Sequence, residues 1–382
     1  MGLYHNCFSW GKVRIWYNAQ YMQDCLSYYK GKKVLVTGHT GFKGSWLCEW
    51  LLALGAEVHG FALPPPTKPA LFAQLKLAKR IKSHTIGDIR DLAAVKRCVK
   101  RVRPEIVFHL AAQPLVRLSY RQPVETFDTN VMGTVNVLEA VRAVFSSKSG
   151  SKAAPLCKVV CITTDKVYEN DNRGRAFVED DPKGGSDPYS ASKGACELAI
   201  QSYRRSFFAD GKGAAWVASA RAGNVIGGGD WALDRIVPDA MRAFISGKTL
   251  TVRNDKSTRP WQHVLEPLYG YLTLGAQRDF VRFSTAYNFG PSAATVKTVG
   301  ELVKETMSYF DRPKFENRTD PNAVPEAKLL TLDSRKAKRL LGWTPHWKFK
   351  ETIRNTVEWY QAVAVGADPM AVTDRQIEEY VS

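Results

Sequence analysis

The residue types best suited to chemistry lie near the middle of the 382-residue chain. Tyr189 and Lys193 are four residues apart in a segment of helical character, so their side chains would share one helix face. The Lys193 ammonium would favour tyrosinate and so lower the pKa of Tyr189. A phenol tuned in this way can accept the proton of a substrate hydroxyl during oxidation. Such pairs are common on helices, so the spacing alone does not establish catalysis.

A second polar group, Thr164-Asp165-Lys166, stands at the end of the apolar strand predicted at 159–164. Functional residues of parallel sheets collect at the carboxyl ends of the strands, which favours a catalytic role for this group. A lysine acts as a base only when its pKa is lowered, and burial or a neighbouring cation such as Lys193 can lower it. The alternative for Lys166 is a surface lysine at a strand end.

A glycine-rich turn near the start of the chain could bind a dinucleotide. A β-branched strand at 33–37 leads into G-x-x-G-x-x-G, and an apolar pattern of helical spacing follows. Gly38 would form the tight turn, Gly41 would let phosphates approach, and Gly44 would let the helix pack on the strand. The helix N-terminus would hold the pyrophosphate. The predicted cofactor contacts of this turn are Gly38, His39, Gly41, Phe42, Lys43 and Gly44.

The residues in and after the turn bear on the choice between NAD and NADP. The dinucleotide fingerprint expects an acid at the end of the second strand, about 20 residues after the turn, to bind a ribose hydroxyl. Here that strand ends in Gly60-Phe61-Ala62-Leu63, without an acid. His39 and Lys43 would add positive potential that suits a 2′-phosphate. These residues therefore favour NADP.

Alternating strands and helices predict an α/β fold with a doubly wound, parallel, Rossmann-type sheet. Further strands are predicted at 57–62, 84–89 and 106–110, with a long helix at 124–144. Residues 31–225 would form the cofactor-binding domain, to which the chain would return between 259 and 290. Residues 226–382 would mainly bind substrate, with helices at about 236–247, 264–277, 297–310 and 350–364. Residues 1–30 are predicted to be an extension outside the fold.

Composition limits the class of protein. The net charge of +17 favours anionic ligands, but the basic residues are spread along the chain and no nucleic-acid motif accompanies them. No apolar run reaches the roughly 18 residues of a membrane span. Seven irregularly spaced cysteines predict buried, reduced thiols, a cytoplasmic location and no metal site. We therefore expect neither nucleic acid nor membrane as a partner.

Several segments together resemble the extended short-chain dehydrogenase/reductase family. They are GHTGFKG, GDIRD, FHLAAQPLV, TNVMGT, TTDKVY, YSASK and RAGNVIGGGDW. More narrowly, GHTGFKGSWL, AAQPLVRLSY, RPWQHVLEPL and LGWTPHW are similar to the CDP-glucose branch of the nucleotide-sugar 4,6-dehydratases. The resemblance extends over roughly residues 31 to 375.

The resemblance implies a reaction on a nucleotide sugar, CDP-glucose, in three parts. Tyr189 would take the C4 hydroxyl proton while hydride passes from C4 to NAD, and Thr164 would bind the C4 oxygen. Lys166 would then remove the C5 proton as Asp165 protonates the leaving C6 hydroxyl. The hydride finally returns to C6. The wider dehydratase family usually has Glu where this chain has Lys166, and the lysine matches the CDP-glucose branch.

The same resemblance implies NAD as the cofactor, and we follow it over the preference for NADP because a cofactor recycled in place need not track the cellular NADPH pool. It also implies a homodimer or homotetramer. The further cofactor contacts that it implies are Asp88, Ile89, Ala111, Ala112, Gln113 and Asn130, together with Tyr189 and Lys193. The implied substrate contacts are Asn224, Arg235, Arg259 and Asn288. Trp231 and Trp261 are predicted to fill core rather than to stack on a base.

Three alternatives remain at this point. An epimerase of the same superfamily would need the tyrosine and the cofactor, but not Asp165 and Lys166. Another nucleotide-hexose 4,6-dehydratase would use the same catalytic set on a different base. A cofactor-binding protein without catalysis would require no such set of residues.

Overall fold

The computed structural model describes residues 25–145, 157–170, 174–208, 215–318 and 330–382. Its strands are β1 Lys33–Thr37, β2 Glu57–Ala62, β3 Ser83–Ile86, β4 Ile106–His109, β5 Cys157–Ile162, β6 Ala215–Arg221, β7 Val225–Ile226, β8 Leu250–Val252, β9 Thr258–Pro260, β10 Gln262–His263, β11 Ala286–Asn288, β12 Val296–Thr298 and β13 Phe315–Asn317. Seven of these form one sheet in the order β11-β6-β5-β4-β1-β2-β3. All neighbours in that sheet are parallel. The predicted doubly wound α/β fold is confirmed.

Helices cover both faces of this sheet. They are Phe42–Ala53, Leu71–Gln74, Leu77–Arg80, Leu92–Val102, Val116–Arg121, Pro123–Phe127, Gly133–Phe145, Pro188–Phe207, Ile236–Ile245, Leu265–Ala276, Phe280–Phe283, Val299–Met307, Arg335–Leu341, Phe349–Ala364 and Pro369–Val381. Successive strand residues point to opposite faces, so Val34 and Val36 belong to one buried cluster while Leu35 belongs to the other. A sheet buried on both faces explains the near-continuous apolar runs in β1, β4 and β5.

The strand order reverses beside β1, which pairs with β2 on one side and with β4 on the other. Such a reversal opens a crevice at the carboxyl ends of the strands, where ligands bind in open α/β sheets. The glycine turn follows β1, and Thr164-Asp165-Lys166 follows β5, the next strand beyond β4. The fold therefore brings the two groups of candidate residues to one edge of the sheet.

The C-terminal part shares its core with the sheet. The chain returns to the large sheet at β11, where Ala286 pairs with Ser219 of β6. Helix Pro369–Val381 packs on helix Phe42–Ala53, with the rings of Trp50 and Tyr380 5.7 Å apart. One large buried cluster includes residues from both predicted domains.

The predicted extension at 1–30 is too long. Residues 1–24 lie outside the described residues, but Leu26 and Tyr29 are buried in the main core. The Tyr29 hydroxyl donates to the Leu272 carbonyl oxygen at 2.6 Å, and its ring lies against Phe108. The segment lacked the periodicity that reveals a core element, so the sequence pattern did not show this burial.

The other differences are local. The third strand ends at Ile86 rather than at residue 89, and the predicted helix at 124–144 contains a π-helical turn at Asp128–Met132. The two-stranded pairs β7–β10, β8–β13 and β9–β12 were not predicted. Within the described ranges, no helix is both long enough and apolar enough to span a membrane.

Candidate functional site

The glycine turn after β1 has the geometry of an anion cradle. Gly38 has φ of +77°, and a Cβ on it would lie 2.6 Å from the Ala111 amide nitrogen. A Cβ on Gly44 would lie 2.2 Å from the Gly38 carbonyl oxygen, whereas one on Gly41 would meet only that oxygen, at 3.5 Å. No side chain caps helix Phe42–Ala53, so its first N–H groups can serve an anion.

His39 does not add the positive potential that the sequence suggested. Its ring is fully buried, and its Nε2 lies 2.8 Å from Nδ1 of His84. Burial, followed by the nearby His84, lowers the pKa of His39 to about 4, so the ring is neutral near pH 7. His39 therefore no longer supports NADP, which leaves Lys43 and the absence of an acid after the second strand as the sequence features that favour it.

Lys43 is the cation of this turn. Its ammonium donates to the Tyr271 hydroxyl at 3.3 Å. Burial lowers the pKa of Lys43 to about 8, and the charges of Lys193 and Arg235 act in the same direction. The ammonium is thus mostly protonated near neutral pH. It shares its electrostatic environment with Lys193 of helix Pro188–Phe207, which is called the catalytic helix below for the candidate residues that it carries.

Tyr189 and Lys193 lie on helix Pro188–Phe207, and both are buried. Asp187 caps this helix by accepting from the Ser190 amide at 2.9 Å. Thr164 lies close enough to the Tyr189 hydroxyl to lower its pKa. The predicted pair, Tyr189 and Lys193, therefore meets the strand-end segment at Thr164.

Burial opposes the predicted lowering of the Tyr189 pKa. Burial raises the pKa of Tyr189, while the neighbouring Thr164 and the charge of Arg235 act to lower it. Burial also lowers the pKa of Lys193. Spacing along a helix could not reveal the desolvation of both groups, and the lowering cation that the structure places near Tyr189 is Arg235.

The strand-end segment is held by its own side chains. The Thr164 hydroxyl donates to Asp165 Oδ1 at 2.8 Å, and the Lys166 ammonium lies 3.4 Å from the same oxygen. The Asn224 amide donates to Asp165 Oδ2 at 3.4 Å. Asp165 is buried, whereas Lys166 is partly exposed. A carboxyl group and an ammonium group therefore lie side by side, and the carboxyl group acts electrostatically on Tyr189.

Arg235 and Arg259 differ in their surroundings. Arg235 pairs with Asp230 at 2.8 Å, and its charge acts on Tyr189. Arg259 lies in β9, where its guanidinium donates to the Thr258 carbonyl at 2.9 Å. Arg235 is thus placed near Tyr189 by its electrostatic effect, whereas one contact of Arg259 is with its own strand.

Asn288 does not face the crevice. It is fully buried, and its Oδ1 accepts from the Tyr168 hydroxyl at 2.6 Å. Its Nδ2 donates to the carbonyl oxygens of Phe177 and Asp333, at 2.9 and 3.3 Å. These contacts and its burial do not fit the predicted contact with substrate. The strand pattern around Asn288 could not reveal its partners, which are distant in the sequence.

Asn130 also serves the protein itself. Its Oδ1 accepts from the Gln113 amide at 2.8 Å, and its Nδ2 donates to the Ser192 hydroxyl at 2.9 Å. It therefore joins the loop after β4 to the catalytic helix. These contacts favour a structural role for Asn130 over the predicted contact with the cofactor.

The other predicted cofactor contacts lie at strand ends. Ala111, Ala112 and Gln113 are partly buried after β4, beside the glycine turn. Asp88 follows β3 and is paired with Arg90 at 2.6 Å, and Ile89 is buried. Ile89 packs closely against helix Gly133–Phe145, since a Cβ on Gly133 would lie 2.4 Å from the Ile89 side chain.

The structure agrees with the sequence prediction on the positive charge of the crevice and on the packing of Trp231 and Trp261. The crevice gathers the cations Lys43, Lys166, Lys193 and Arg235 around Asp165, an arrangement that attracts an anionic ligand. Trp261 is buried, and Trp231 packs against Trp359 and Tyr360. In the described ranges, no disulfide joins cysteines and no cluster of potential metal ligands occurs.

Sequence reasoning missed the residues beneath the catalytic group. Glu197 and Arg221 form a buried ion pair at 2.7 Å, and Tyr168 bonds to Arg221. Glu197 lies one helical turn after Lys193, a spacing that could have drawn attention to it. No local signal marks Arg221, because its partners come from other strands and helices.

Comparison with known proteins gives a consistent result. A family model described as GDP-mannose 4,6 dehydratase matches residues 35–356. A CDP-glucose 4,6-dehydratase of Salmonella typhimurium is 46% identical over 362 residues, which cover 93% of this chain and 98% of that protein.

Solved structures agree on the fold. A UDP-glucose 4-epimerase of Thermus thermophilus in complex with NAD is 26% identical, with a TM-score of 0.69 over 86% of this chain and 98% of that one. A dTDP-glucose 4,6-dehydratase of Bacillus anthracis is 22% identical, with a TM-score of 0.71 over 88% of this chain and 99% of that one. At that identity the second likeness supports the fold alone.

Proposed function

The chain belongs to the GDP-mannose 4,6 dehydratase family, and from that membership we propose that it converts CDP-glucose to CDP-4-keto-6-deoxyglucose and water. The observation that carries the proposal is the convergence of Thr164, Asp165 and Lys166 with Tyr189 at one edge of the sheet. The 46% identity to a CDP-glucose 4,6-dehydratase over nearly the whole chain supports the same substrate. A 4-keto-6-deoxy sugar is an intermediate suited to deoxysugar synthesis.

NAD is the cofactor that fits the glycine turn. The open space at Gly41 and the uncapped N-terminus of helix Phe42–Ala53 would hold its pyrophosphate. Ala111 and Gln113 would line its path, and Asp88 would border its adenine. When bound, NAD accepts a hydride from C4 and later returns it to C6. The neutral state of His39 removes one reason to expect a 2′-phosphate.

Oxidation at C4 requires that the hydroxyl proton be removed. We assign that step to Tyr189, whose hydroxyl is close enough to Thr164 for a substrate oxygen to contact both groups. Thr164 would then orient the C4 oxygen. The positive charges of Lys193 and Arg235 would stabilise tyrosinate as it forms.

Elimination across C5 and C6 requires one base and one acid. Lys166, with its amine neutral, would take the C5 proton, and protonated Asp165 would give its proton to the departing C6 hydroxyl as water forms. The two groups are left as ammonium and carboxylate. As hydride returns to C6, the Lys166 ammonium would give its proton back to C5. The proton that Tyr189 took from the C4 hydroxyl would pass by way of Thr164, 2.8 Å from Asp165, to the carboxylate, which resets all three groups for the next turnover.

The diphosphate and sugar would lie over the C-terminal part of the chain. We propose that residues 31–225 mainly bind the cofactor and residues 226–382 mainly the nucleotide sugar. Arg235 is the preferred diphosphate ligand, because a guanidinium forms paired hydrogen bonds with phosphate oxygens. Arg259 is a second candidate, and Asn224 acts through its contact with Asp165.

We also propose that two copies of the chain pair through their helices. Several apolar side chains are exposed on Pro123–Phe127, on the π-helical turn and on Pro188–Phe207. These are Val124, Phe127, Met132 and Leu198. An apolar patch on neighbouring helices is suited to a two-fold interface. Light scattering on the purified protein should give twice the chain mass, or four times if dimers pair again.

A panel of nucleotide-glucoses tests the activity. Purified protein with NAD is incubated with CDP-, dTDP-, UDP- and GDP-glucose, and the 4-keto-6-deoxy product is scored by its absorbance in alkali. We expect product with CDP-glucose at the highest kcat/KM. A 4-epimer without any keto product would identify an epimerase, and the absence of turnover with every sugar would reject the proposal.

A further inference from the structure

The carboxylate of Glu197 lies in a nearly solvent-free position beneath the catalytic residues, where three parts of the chain meet. It accepts from the Thr163 hydroxyl at 2.5 Å and from the Ser219 hydroxyl at 2.8 Å. The Arg221 guanidinium adds two hydrogen bonds, at 3.0 Å from Nε and 2.7 Å from Nη2. Glu197 belongs to the catalytic helix, Thr163 follows β5, and Ser219 and Arg221 belong to β6.

The third guanidinium nitrogen of Arg221, Nη1, is also hydrogen-bonded. Its Nη1 donates to the Tyr168 hydroxyl at 2.6 Å and to the Glu179 carbonyl oxygen at 2.8 Å. Tyr168 in turn donates to Asn288 of β11. Thr163 directly precedes Thr164, and Tyr168 comes two residues after Lys166. Both ends of the Thr164-Asp165-Lys166 segment are therefore attached to one buried ion pair.

We infer that Glu197, held by Arg221, is a positioning residue for oxidation at C4. It fixes the helix that carries Tyr189 against the segment that carries Thr164, and so sets the distance between the two hydroxyl groups. A buried ion pair contributes little net stability compared with apolar packing, so geometry is the better reason for its presence. The inference rests on the proposed dehydratase activity.

The charge of Glu197 has a second consequence, for Lys193. Burial alone would raise the pKa of Glu197, but Arg221 and the hydroxyl donors hold it at about 2, so the carboxylate is ionised. Burial lowers the pKa of Lys193, and Glu197 opposes that effect together with Cys196 and Cys161.

The other groups that face Lys193 do not replace this anion. Burial raises the pKa of Cys161 and of Cys196, so both thiols are neutral, and burial lowers the pKa of His109 to about 3. Lys43 is itself a cation. Loss of the Glu197 charge should therefore lower the pKa of Lys193, and the alkaline limb of the kcat profile should move to lower pH.

The first test is Glu197→Gln, assayed with CDP-glucose and with substrate deuterated at C4. We expect kcat to fall on the order of 100-fold with little change in KM, because a small misplacement of reacting groups costs about that much. The deuterium isotope effect should rise as hydride transfer becomes slowest, and the alkaline limb should shift as derived above. An isotope effect and pH profile equal to wild type, with only a lower Tm, would overturn the inference.

Glu49→Gln is the matched control. It also breaks a pair between a buried glutamate and an arginine, here a partly exposed one, since Arg80 donates to both Glu49 oxygens at 2.5 Å, but it does so on helix Phe42–Ala53. We expect a lower Tm with an unchanged isotope effect and an unchanged alkaline limb. If Glu49→Gln changed both readouts as much as Glu197→Gln does, the effect would be general destabilisation and the inference would fail.

A milder pair of variants decides the question even if Glu197→Gln does not fold. Thr163→Val and Ser219→Ala each remove one hydroxyl that donates to Glu197, but only Thr163 adjoins Thr164. We expect Thr163→Val to lower kcat about tenfold and raise the isotope effect, and Ser219→Ala to change kcat by less than about twofold. Equal effects would overturn the inference. An active wild type beside an unaffected Thr163→Val rejects the positioning role alone, whereas an inactive wild type rejects the proposed function as well.

Discussion

The glycine turn and the catalytic segment follow strands of the same sheet, β1 and β5, with only β4 between them. The turn depends on missing atoms, since a Cβ on Gly38 or Gly44 would collide with backbone. The catalytic segment depends on functional atoms that are present, namely the hydroxyl, carboxyl and ammonium groups of Thr164, Asp165 and Lys166. Adding a methyl group should therefore damage the turn, and removing a functional group should damage the catalytic segment.

The largest effect is expected from Tyr189→Phe, which removes the proton acceptor and almost no volume. We expect turnover to fall by roughly 100- to 10,000-fold, the range typical of general acid–base catalysis. Cofactor affinity and Tm should stay near wild type, because the ring still fills its buried position. Near-normal turnover would remove Tyr189 from the mechanism.

Lys166→Ala should separate the two chemical stages. Oxidation at C4 needs Tyr189, whereas removal of the C5 proton needs the base, so the variant should stop after the first stage. Reduced nicotinamide should accumulate on the enzyme after CDP-glucose is added, as a rise in its absorbance in a stopped-flow experiment. Turnover should fall on the order of 100-fold or more. Lys166→Arg, which keeps the charge but not the base, is the control and should accumulate reduced cofactor as well; wild-type turnover in either variant would argue for a different base.

The turn should respond to added atoms in two distinguishable ways. In Gly44→Ala the new Cβ meets the Gly38 carbonyl oxygen at 2.2 Å, so both Tm and NAD affinity should fall. In Gly41→Ala the nearest protein atom is 3.5 Å away, so Tm should hold while NAD affinity falls about tenfold or more as the phosphates are kept at a distance. Calorimetric titration and thermal melts check both variants. Unchanged affinity in Gly41→Ala would show that the phosphates lie elsewhere.

Tyr29→Ala should affect the glycine turn and the catalytic segment equally, because Tyr29 packs in the core of the sheet through its contacts with Leu272 and Phe108. We expect a loss of about 3–5 kcal/mol in the free energy of unfolding, as for other buried aromatic residues replaced by alanine. In the folded fraction, kcat should be unchanged. Tyr29→Phe, which loses only the hydrogen bond, should cost about 1 kcal/mol. A chain that begins at Gly31 should be at least as unstable as Tyr29→Ala, and wild-type stability of that shortened chain would contradict the burial of this segment.

Much of the fold could be predicted because its signals are local. The strands β1, β2, β4 and β5 are four to six residues long and rich in apolar side chains, and the helices between them follow from spacing. The strand at the sheet edge, β11, is only three residues long, Ala286–Asn288, and carries no such signal. The short pairs β7–β10, β8–β13 and β9–β12 are equally brief. Their pairing is decided by contacts between residues far apart in the chain.

The candidate site divides in the same way. The residue types and the spacing of Tyr189 and Lys193, and the order of Thr164, Asp165 and Lys166, are visible in the sequence. The contacts of Asn288 and Asn130 are not, and both residues proved to bind the protein's own groups. The local sequence around an asparagine at a strand end is the same whether its side chain faces a ligand or a neighbouring strand.

The sequence by itself determined the sheet topology class, the site of the glycine turn and the set of candidate catalytic groups, because each depends on residue type and short-range spacing. Only the tertiary structure decided which groups are charged. Burial makes His39 neutral and raises the pKa of Tyr189, while Arg221 keeps Glu197 ionised against the same effect. Desolvation and ion pairing arise from residues that meet only when the chain is folded, so the protonation of this site follows from packing rather than from local sequence.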